Sequence, residues 1–316
     1  MARAQGARAQ LLGAFESAYG TPPASDYIKF PFVSSALGTE RPLTPDDLLG
    51  LGRDPSDPTP DVTTGGGDLV VPVDLRHMGH WLRLLLGDPV TTGSAGAYTH
   101  TYTSGGWTLP SMACEIGFPE VPHFPMVGGV MANSLALSMS ESGNANATLN
   151  LIARNEVPAT VSVDETPSEM DLDRFVQFQG AIKQGGSALA DIVSGDLTYS
   201  NNLDPVRNVG SGGLISGADP AKASCTGNLQ ARFSSTALLT LATANTPVEL
   251  EYSYTISATK KLVVTVHRVF LPKPKVSVTG PAGVQVPFAW QAARALTGAE
   301  RMCTVALLND VADYTP

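Results

Sequence analysis

The chain passes twice through one order of predicted elements, and this weak internal duplication constrains its fold more than any single residue does. Each copy has an apolar strand, a long Pro/Asp/Gly-rich loop, a second strand, a short helix, a hairpin and two closing strands. The first copy has strands at 27–33 and 68–73 and ends at Ala153. The second copy has strands at 175–182 and 227–233, the loop 200–223, a helical run at 236–244, a hairpin at 248–270 and its end at Leu308. Two copies of one β-rich unit indicate a building block.

Composition favours strands joined by turns. The 316 residues include 31 Gly and 24 Pro, which helical segments avoid. The length allows two domains, each with its own core. We predict an all-β fold with short helices, made of two tandem β-sandwich or barrel units. The predicted divisions are an N-terminal arm (1–26), a first β domain (27–154), a linker (155–172) and a second β domain (173–316).

The charge of the chain argues against one class of function. A formal net charge of -9 and a pI near 5.0 leave too little Lys and Arg for a protein that grips a nucleic-acid backbone. We therefore expect any contact with DNA to be repulsive or passing.

The three cysteines, Cys114, Cys225 and Cys303, form no CxxC pair and leave at least one thiol unpaired in any scheme. This pattern favours folding in a reducing cytoplasm. The N-terminus lacks the apolar run of about 7 to 15 residues that marks a signal peptide, and no stretch approaches the roughly 18 residues of a membrane span. The sequence thus predicts a protein that is neither exported by that route nor membrane-bound.

The predicted arm contains apolar positions at Leu11, Leu12 and Phe15 with weak helical spacing, which stops at Pro22 and Pro23. A terminal segment this apolar needs a partner surface. That surface belongs either to a neighbouring molecule or to the chain's own first domain.

Two long loops, 36–67 and 200–223, lie at equivalent places in the two copies. Loops of this length are uncommon in compact domains and tend to serve binding or assembly. We expect them to reach over neighbouring subunits. Each carries an Arg close to an Asp-Pro pair, and the candidate contact residues are Arg53, Asp54, Asp57, Asp204 and Arg207.

One helix is clearly predicted at 74–86, with Asp74 as its N-cap, leucines at 3- and 4-residue spacing, and Gly87 at its end. Its counterpart at 236–244 is shorter, with Ser234 or Ser235 as the cap. The predicted hairpins pair 97–103 with 112–118 and 249–256 with 261–270.

Candidate chemistry is sparse. His77 and His80 could join Asp74, His100 or His123 as metal ligands, but histidines three residues apart without a fixed carboxylate partner are a weak pattern. Cys114 lacks the His and Asn partners of a cysteine nucleophile, and the glycine runs lack the Lys-Ser/Thr ending of a P-loop. We predict no enzymatic activity, no metal and no cofactor.

Several short sequence motifs occur together along the chain. They are GAFESAYGTPP at 13–23, FPF at 30–32, the Arg53 loop, GDLVVPVD at 67–74, Trp81-Leu82 with Leu86-Gly87, YTHTY at 98–102 and LPS at 109–111. In combination they resemble the major tail tube proteins of long-tailed, non-contractile bacteriophages, over nearly the whole chain and most clearly over 10–155.

The resemblance implies a structural protein of the virion tail, made in the cytoplasm of the bacterial host. Its β-sandwich subunits would close into rings whose sheets form one barrel around a channel for DNA ejection. Rings would stack through long loops and terminal arms. The implied partners are further copies of the chain, a tape-measure protein, tail terminator or distal tail proteins, and double-stranded DNA in passing.

Six subunit-equivalents per ring, as the resemblance implies, would need only three chains if each chain supplies two units. Six chains would be needed if the second unit is an outward decoration, and we favour three. A β-sandwich adhesin or carbohydrate-binding module is the alternative function, and it would expose clustered Trp and Tyr for stacking on sugars.

A duct for DNA should not hold its cargo, so we expect carboxylates rather than basic groups along the channel. From their positions in and beside the hairpin strands, the candidates for the channel wall are Glu115, Glu120, Glu249 and Glu251.

Overall fold

The computed structural model describes residues 3–50, 52–189, 191–278 and 280–315, and it confirms a mostly β fold with short helices. The two α-helices are α1 His77–Leu86 and α2 Ala237–Ala244. The strands of the first half are β1 Gln10–Phe15, β2 Ile28–Lys29, β3 Ser34–Ser35, β4 Gly38–Glu40, β5 Leu43–Thr44, β6 Thr59–Pro60, β7 Thr64–Pro72, β8 Val90–Ser94, β9 Ala97–Thr103, β10 Met112–Gly117, β11 Met126–Met139, β12 Asn146–Ile152 and β13 Asn155–Val157. Those of the second half are β14 Gly180–Gln184, β15 Ser187–Ala188, β16 Ile192–Ser200, β17 Leu203–Val206, β18 Gly217–Pro220, β19 Ser224–Arg232, β20 Val248–Ser257, β21 Lys260–Phe270, β22 Gln285–Ala292 and β23 Cys303–Asn309.

Most strands belong to two large antiparallel sheets that share one core. The first sheet has the order β3/β4, β7, β12, β11, β16, β19, β22, with β3 and β4 placed end to end along β7. The second sheet has the order β8, β9, β23, β21, β20, β14, β15. The end of β21 also pairs with the end of β22, which joins the two sheets at a corner. Neither sheet closes into a barrel within the residues that the structure describes.

A third, smaller layer has the order β2, β1, β10, β11, β13. The long strand β11 belongs to two layers. Its first part pairs with β10 and β13, and its second part pairs with β12 and β16 in the first sheet.

Both large sheets contain strands from both halves of the chain. In the first sheet β11 pairs with β16, and in the second sheet β9 pairs with β23. A single cluster of buried apolar side chains accordingly spans both halves. The predicted ranges 27–154 and 173–316 therefore share sheets and core.

The strand pairs on either side of the long loops repeat in register. Ser34 lies opposite Val70, and Ser194 lies opposite Gln230. Further along the strands, the Gly38–Gly66 pair corresponds to the Thr198–Thr226 pair. Each of these first-half residues thus has an equivalent 160 positions later in the second half, as Ser34 has in Ser194. The two helices, which start at 77 and 237, differ by the same number. The order of strand, long loop, strand and helix is thus present twice with equal spacing, but the strands before the loops are β3/β4 and β16 and not the predicted 27–33 and 175–182.

Helix α1 lies inside the sandwich, and all ten of its residues are buried. Met78, Leu82 and Leu85 pack between core side chains of both sheets, among them Leu135 and Val264. Asp74 caps this helix as predicted. Its carboxylate accepts hydrogen bonds from the backbone N–H groups of Arg76 at 3.1 Å, His77 at 3.0 Å and Met78 at 3.0 Å.

The N-terminal segment differs from the helical pattern predicted for it. Leu11, Leu12 and Phe15 lie in strand β1, which pairs with β10 along its whole length. Leu11 and Leu12 point to opposite sides and are both buried, because β1 has packed elements on each face. Residues 10–15 therefore fold onto the chain's own β structure.

The predicted pairing of 97–103 with 112–118 is wrong. Strand β9 pairs with β8 and β23, whereas β10 pairs with β1 and β11. The true hairpin is β8–β9, turned by Ala95 and Gly96, and the second side of β9 is taken by a strand some 200 residues away in sequence. The second predicted hairpin is confirmed as β20–β21.

We expect Asp74→Ala to lower the free energy of unfolding by about 2–4 kcal/mol, because buried N–H groups at the start of α1 lose their acceptor. Urea denaturation followed by tryptophan fluorescence measures this. The control is Glu169→Ala, since the Glu169 carboxylate and its partner Lys29, with Nζ at 2.8 Å, are both exposed. The control should cost less than about 1 kcal/mol, and equal losses in the two variants would contradict the capping role.

Candidate assembly surfaces

The outward face of the first sheet is wide, polar and almost uncharged. One row of directly opposed residues crosses six strands of this face without a charge: Val70, Thr148, Ala136, Thr198, Thr226 and Gln291. The other outward residues are mainly hydroxyl and amide side chains, namely Ser134, Ser138, Asn150, Ser200, Asn228, Gln230 and Gln285. We call this surface the polar face. Its groups bind water without offering the clustered cations that phosphates require.

The charged groups on the polar face are the carboxylates of Glu40, Asp68 and Asp196 and the guanidinium of Arg232. Asp68 and Asp196 each have an asparagine partner on the adjacent strand. The Asp68 carboxylate accepts from Asn150 Nδ2 at 2.7 Å. The Asp196 carboxylate accepts from the Asn228 backbone N–H at 3.1 Å and from its Nδ2 at 3.3 Å. These hydrogen bonds from neutral partners fix both carboxylates against the surface of the sheet.

Glu115, predicted to face a channel, is buried. Its carboxylate accepts from Ser162 Oγ at 2.6 Å and from the Val163 N–H at 2.6 Å. This side chain ties the segment after β13 to strand β10. A buried carboxylate that is occupied in this way cannot line a water-filled channel, so the assignment of Glu115 is corrected.

The other three predicted glutamates lie away from the polar face. Glu120 lies in the turn after β10, with Arg8 Nε at 3.1 Å. Glu249 and Glu251 alternate along β20 with core residues, so they project from the outward side of the second sheet. There Glu251 pairs with Lys183 at 2.6 Å, and Glu249 lies 3.5 Å from His267 Nδ1. The structure does not bring the four glutamates together.

The sequence analysis did not predict the residues of the polar face as functional. Their signal is a Ser, Thr, Asn or Gln at every second position of a strand whose other positions are apolar, as in 146–150 and 226–230. The same alternation occurs in any half-exposed strand, so it marks a solvated face without identifying a channel.

The two long loops meet at one end of the sandwich. Arg207 Nη2 donates to the Thr63 carbonyl oxygen at 3.0 Å, and the Thr63 N–H donates to the Gly213 carbonyl oxygen at 3.1 Å. The loops contain small hairpins of their own, β5–β6 and β17–β18. The predicted Asp204 lies in β17 opposite Asp219.

The outer part of the first loop is exposed. Arg53, Asp54 and Asp57 all project into solvent there. Leu48 and Leu49 are exposed in the same stretch, and Val209 is exposed at the tip of the second loop. Exposed large apolar side chains in the outer parts of two loops that meet at their bases indicate a contact surface.

The first sheet has open edges at both ends of its strand order. Among the described strands, β22 has a full-length partner only in β19, and β3 and β4 pair only with β7. Unpaired backbone groups along such edges are templates for strands of another chain.

The candidate ligand residues are placed in structural roles. His77 Nδ1 lies 2.7 Å from the Asp74 carboxylate, and the His100 ring contacts Thr91, Asn309 and the Val311 carbonyl oxygen. Burial lowers the pKa of His80 to about 3. Across the described ranges, no group of three or more His, Cys, Asp or Glu side chains is arranged to hold a metal ion.

The tryptophans are not clustered on a surface. Trp81 and Trp290 lie in the core, and Trp107 is exposed in the turn after β9. The stacking platform expected of a carbohydrate-binding module is therefore limited to one indole ring.

Comparison with known proteins identifies the family. A family model described as "Phage tail tube protein" matches residues 6–292. The chain therefore belongs to the phage tail tube family, which confirms the resemblance at the family level and makes the protein a structural component of a phage tail. No curated protein matches the chain. None of the helices in the described ranges is long and apolar enough to cross a membrane.

We expect all three thiols to be unreactive in the folded protein. Burial raises the pKa of Cys114 and of Cys303 to about 12, and it raises the pKa of Cys225 well above its usual range. The thiols thus stay protonated and shielded at pH 8. Titration with Ellman's reagent should detect none of them in native protein and all three in urea, and fast labelling of native protein would contradict their burial.

Proposed function

We propose that this member of the phage tail tube family forms the tube of a long, non-contractile tail, as rings of three chains stacked around a channel for double-stranded DNA. The polar face of the first sheet lines the channel. The protein is a virion component made in the host cytoplasm, and it carries no enzymatic activity.

The observation that carries this proposal is the continuity of the polar face across both halves of the chain. Strands β3/β4, β7 and β12 come from the first half, and β16, β19 and β22 repeat their order in the second half. A surface that repeats side by side within one chain is suited to further repetition around an axis. The six units of a ring then come from three chains.

The composition of the polar face suits a duct. DNA in transit carries a negative charge every 1.7 Å along its axis, and each Lys or Arg that pairs with a phosphate adds affinity that must be undone during ejection. The polar face instead offers mainly hydroxyl and amide groups, with the carboxylates of Glu40, Asp68 and Asp196 and the guanidinium of Arg232 among them. The channel wall is thus close to neutral.

The loop end of the sandwich serves the stacking of rings. Leu48, Leu49 and Val209 are exposed in the outer parts of the two long loops, where a neighbouring ring would cover them. The same end or its opposite would meet the tape-measure protein and the terminator or distal proteins where the tube ends. The first residues of the predicted arm, before β1, are also placed for such contacts.

The competing function is an adhesin or carbohydrate-binding module. The observation in its favour is Trp107, the one exposed indole, which could stack on a sugar. Such a protein would stay monomeric in solution. Negative-stain microscopy of purified protein separates the two functions, since rings or tubes support the tail tube and dispersed monomers contradict it.

We expect the double variant Leu48→Ser/Leu49→Ser to fold normally but to form tubes poorly, because stacking loses apolar contact area at every ring. Tube length in negative stain and sedimentation measure the effect, and we expect at least about a tenfold rise in the concentration needed for tubes. Val121→Ser, which removes an exposed apolar side chain outside the two long loops, is the control. Normal tubes from the double variant would remove the first loop from its stacking role.

We expect tubes of the unsubstituted protein to show no measurable affinity for duplex DNA at physiological salt. Thr198→Arg places a cation on the polar face of every chain and should give salt-sensitive DNA binding, at least about tenfold tighter at low salt. Thr101→Arg, on the outward side of the second sheet, is the matched control. Co-sedimentation of tubes with labelled duplex tests both, and equal binding by the two variants would place the channel elsewhere.

A further inference from the structure

The repeat in the first sheet is incomplete by one strand. The first half supplies β3/β4, β7, β12 and β11, whereas the second half supplies only β16, β19 and β22. The counterpart of β11 would lie beyond β22, where the sheet has an open edge. Because every neighbouring pair is antiparallel, β22 and β3/β4 run in the same direction. Direct pairing of these two edges in a ring would be parallel, unlike the β11–β16 junction inside the chain.

The segment 271–278, which leads from β21 towards β22, has the position and direction of the missing strand. It runs from the loop end of the sandwich to the opposite end, as β11 does. The segment forms no ladder, yet over 273–277 its burial alternates as in a half-buried strand, and Val278 at its end is exposed. Lys273, Lys275 and Ser277 are exposed, whereas Pro274 and Val276 are half-buried, and Val276 packs against the core.

The β11–β12 pair gives the alignment of this segment with β11. The buried residues Ala147, Leu149 and Leu151 of β12 correspond to Val286, Phe288 and Trp290 of β22, a difference of 139 in residue number. The same difference places Val276 at the position of Leu137, a core residue of β11. Both residues face inward, so the alignment agrees with the observed burial.

We propose that residues 273–278 become the eighth strand of the first sheet when a ring closes, antiparallel to β22 of their own chain and to residues 35–40 of the next chain. This inference rests on the proposed ring and names the strand, the partner and the register. The β11–β16 ladder inside the chain is the template for the junction between chains.

The template fixes which residues meet. Residues of the segment lie 139 positions after their equivalents in β11, and residues 35–40 lie 160 positions before their equivalents in β16. The Leu137–Leu197 pair inside the chain therefore corresponds to Val276 opposite Leu37 between chains, and both residues are apolar. The Ser134–Ser200 pair likewise corresponds to Lys273 opposite Glu40 of the next chain. Both side chains are exposed, and neither makes an ion pair within the described residues. An opposite-charge pair at a directly opposed position stabilises that register.

The proline in the segment lies at a pair that makes no ladder hydrogen bond. The template places Pro274 opposite Thr39, converted from the Leu135–Tyr199 pair. Pro274 has no N–H to donate. The Thr39 N–H is already bonded to the Glu156 carboxylate at 2.8 Å. Neither ladder bond forms at this pair, so the carbonyl oxygens of Pro274 and Thr39 are left to water and the remaining pairs carry the junction.

The first test is a charge exchange. We expect Lys273→Glu or Glu40→Lys alone to raise the concentration for half-maximal assembly about fivefold, because like charges then oppose each other at every junction between chains. The double variant Lys273→Glu/Glu40→Lys should return to within about twofold of the unsubstituted protein. Lys275→Glu, the same charge change opposite Gly38, is the matched control and should change assembly less than about twofold.

The second test is a disulfide across the junction. The template places Ser277 opposite Ala36 of the next chain, and both are exposed. After mild oxidation of assembled Ser277→Cys/Ala36→Cys, nonreducing gels should show covalent species that stop at three chains. Neither single variant should give a ladder beyond dimers, since the natural thiols are buried.

The outcomes separate the two proposals. Tubes that form equally well in all charge variants, or tubes of the double cysteine variant that do not cross-link, overturn the eighth strand and leave the tube function standing. Covalent species that stop at six chains keep the strand and overturn the three-chain ring. Unsubstituted protein that forms neither rings nor tubes overturns the proposed function, on which the inference rests.

Discussion

The ladder between β11 and β16 is the interaction on which the rest of the structure depends. Its six directly opposed pairs, from Ser134–Ser200 to Met139–Gly195, join strands from the two halves of the chain. Without this ladder the first sheet would be two separate pieces, and the polar face would be interrupted at its centre. Because the two halves are covalently linked, this junction forms at a high effective concentration. A ring of three chains therefore needs only half of its six junctions to form between molecules.

Full burial of α1 sets a second constraint. A helix enclosed on all sides cannot satisfy its first N–H groups with water, so a fixed acceptor is required, and Asp74 supplies it. The corresponding helix α2 buries only Ala242, and it starts without a side-chain cap on Thr236. The halves thus agree in their sheets and differ in their helices. The sheet register is shared because it shapes the polar face, whereas the helices lie on the other side of it.

Local patterns in the sequence predicted local structure well. Asp74 and Gly87 bound α1 as expected, and the alternation around Leu250 and Val264 identified the β20–β21 hairpin. Pairings between distant segments were not predictable, since β9 pairs with β23 and β11 pairs with β16, and no local sequence signal specifies either partner. The prediction for Glu115 was wrong for a related reason: strand alternation tells which residues share a face, but it does not tell whether that face contacts water or other parts of the protein. Glu115 alternates like a surface residue and is nevertheless covered by Ser162 and Val163.

The irregular state of residues 273–278 in a single chain has its own physical reason. A strand edge with free N–H and C=O groups pairs with any extended segment, and prolines and lysines on an edge suppress such pairing. Both kinds of residue occur in the segment before β22, as Pro272, Lys273, Pro274 and Lys275. A wrong partner would present no carboxylate to the two lysines, and its carbonyl group opposite Pro274 would find no N–H donor. The edge at 35–40 presents Glu40 to Lys273, and the Thr39 N–H opposite Pro274 is already bonded to Glu156. The segment that protects the single chain is thus the one whose chemistry selects the correct neighbour.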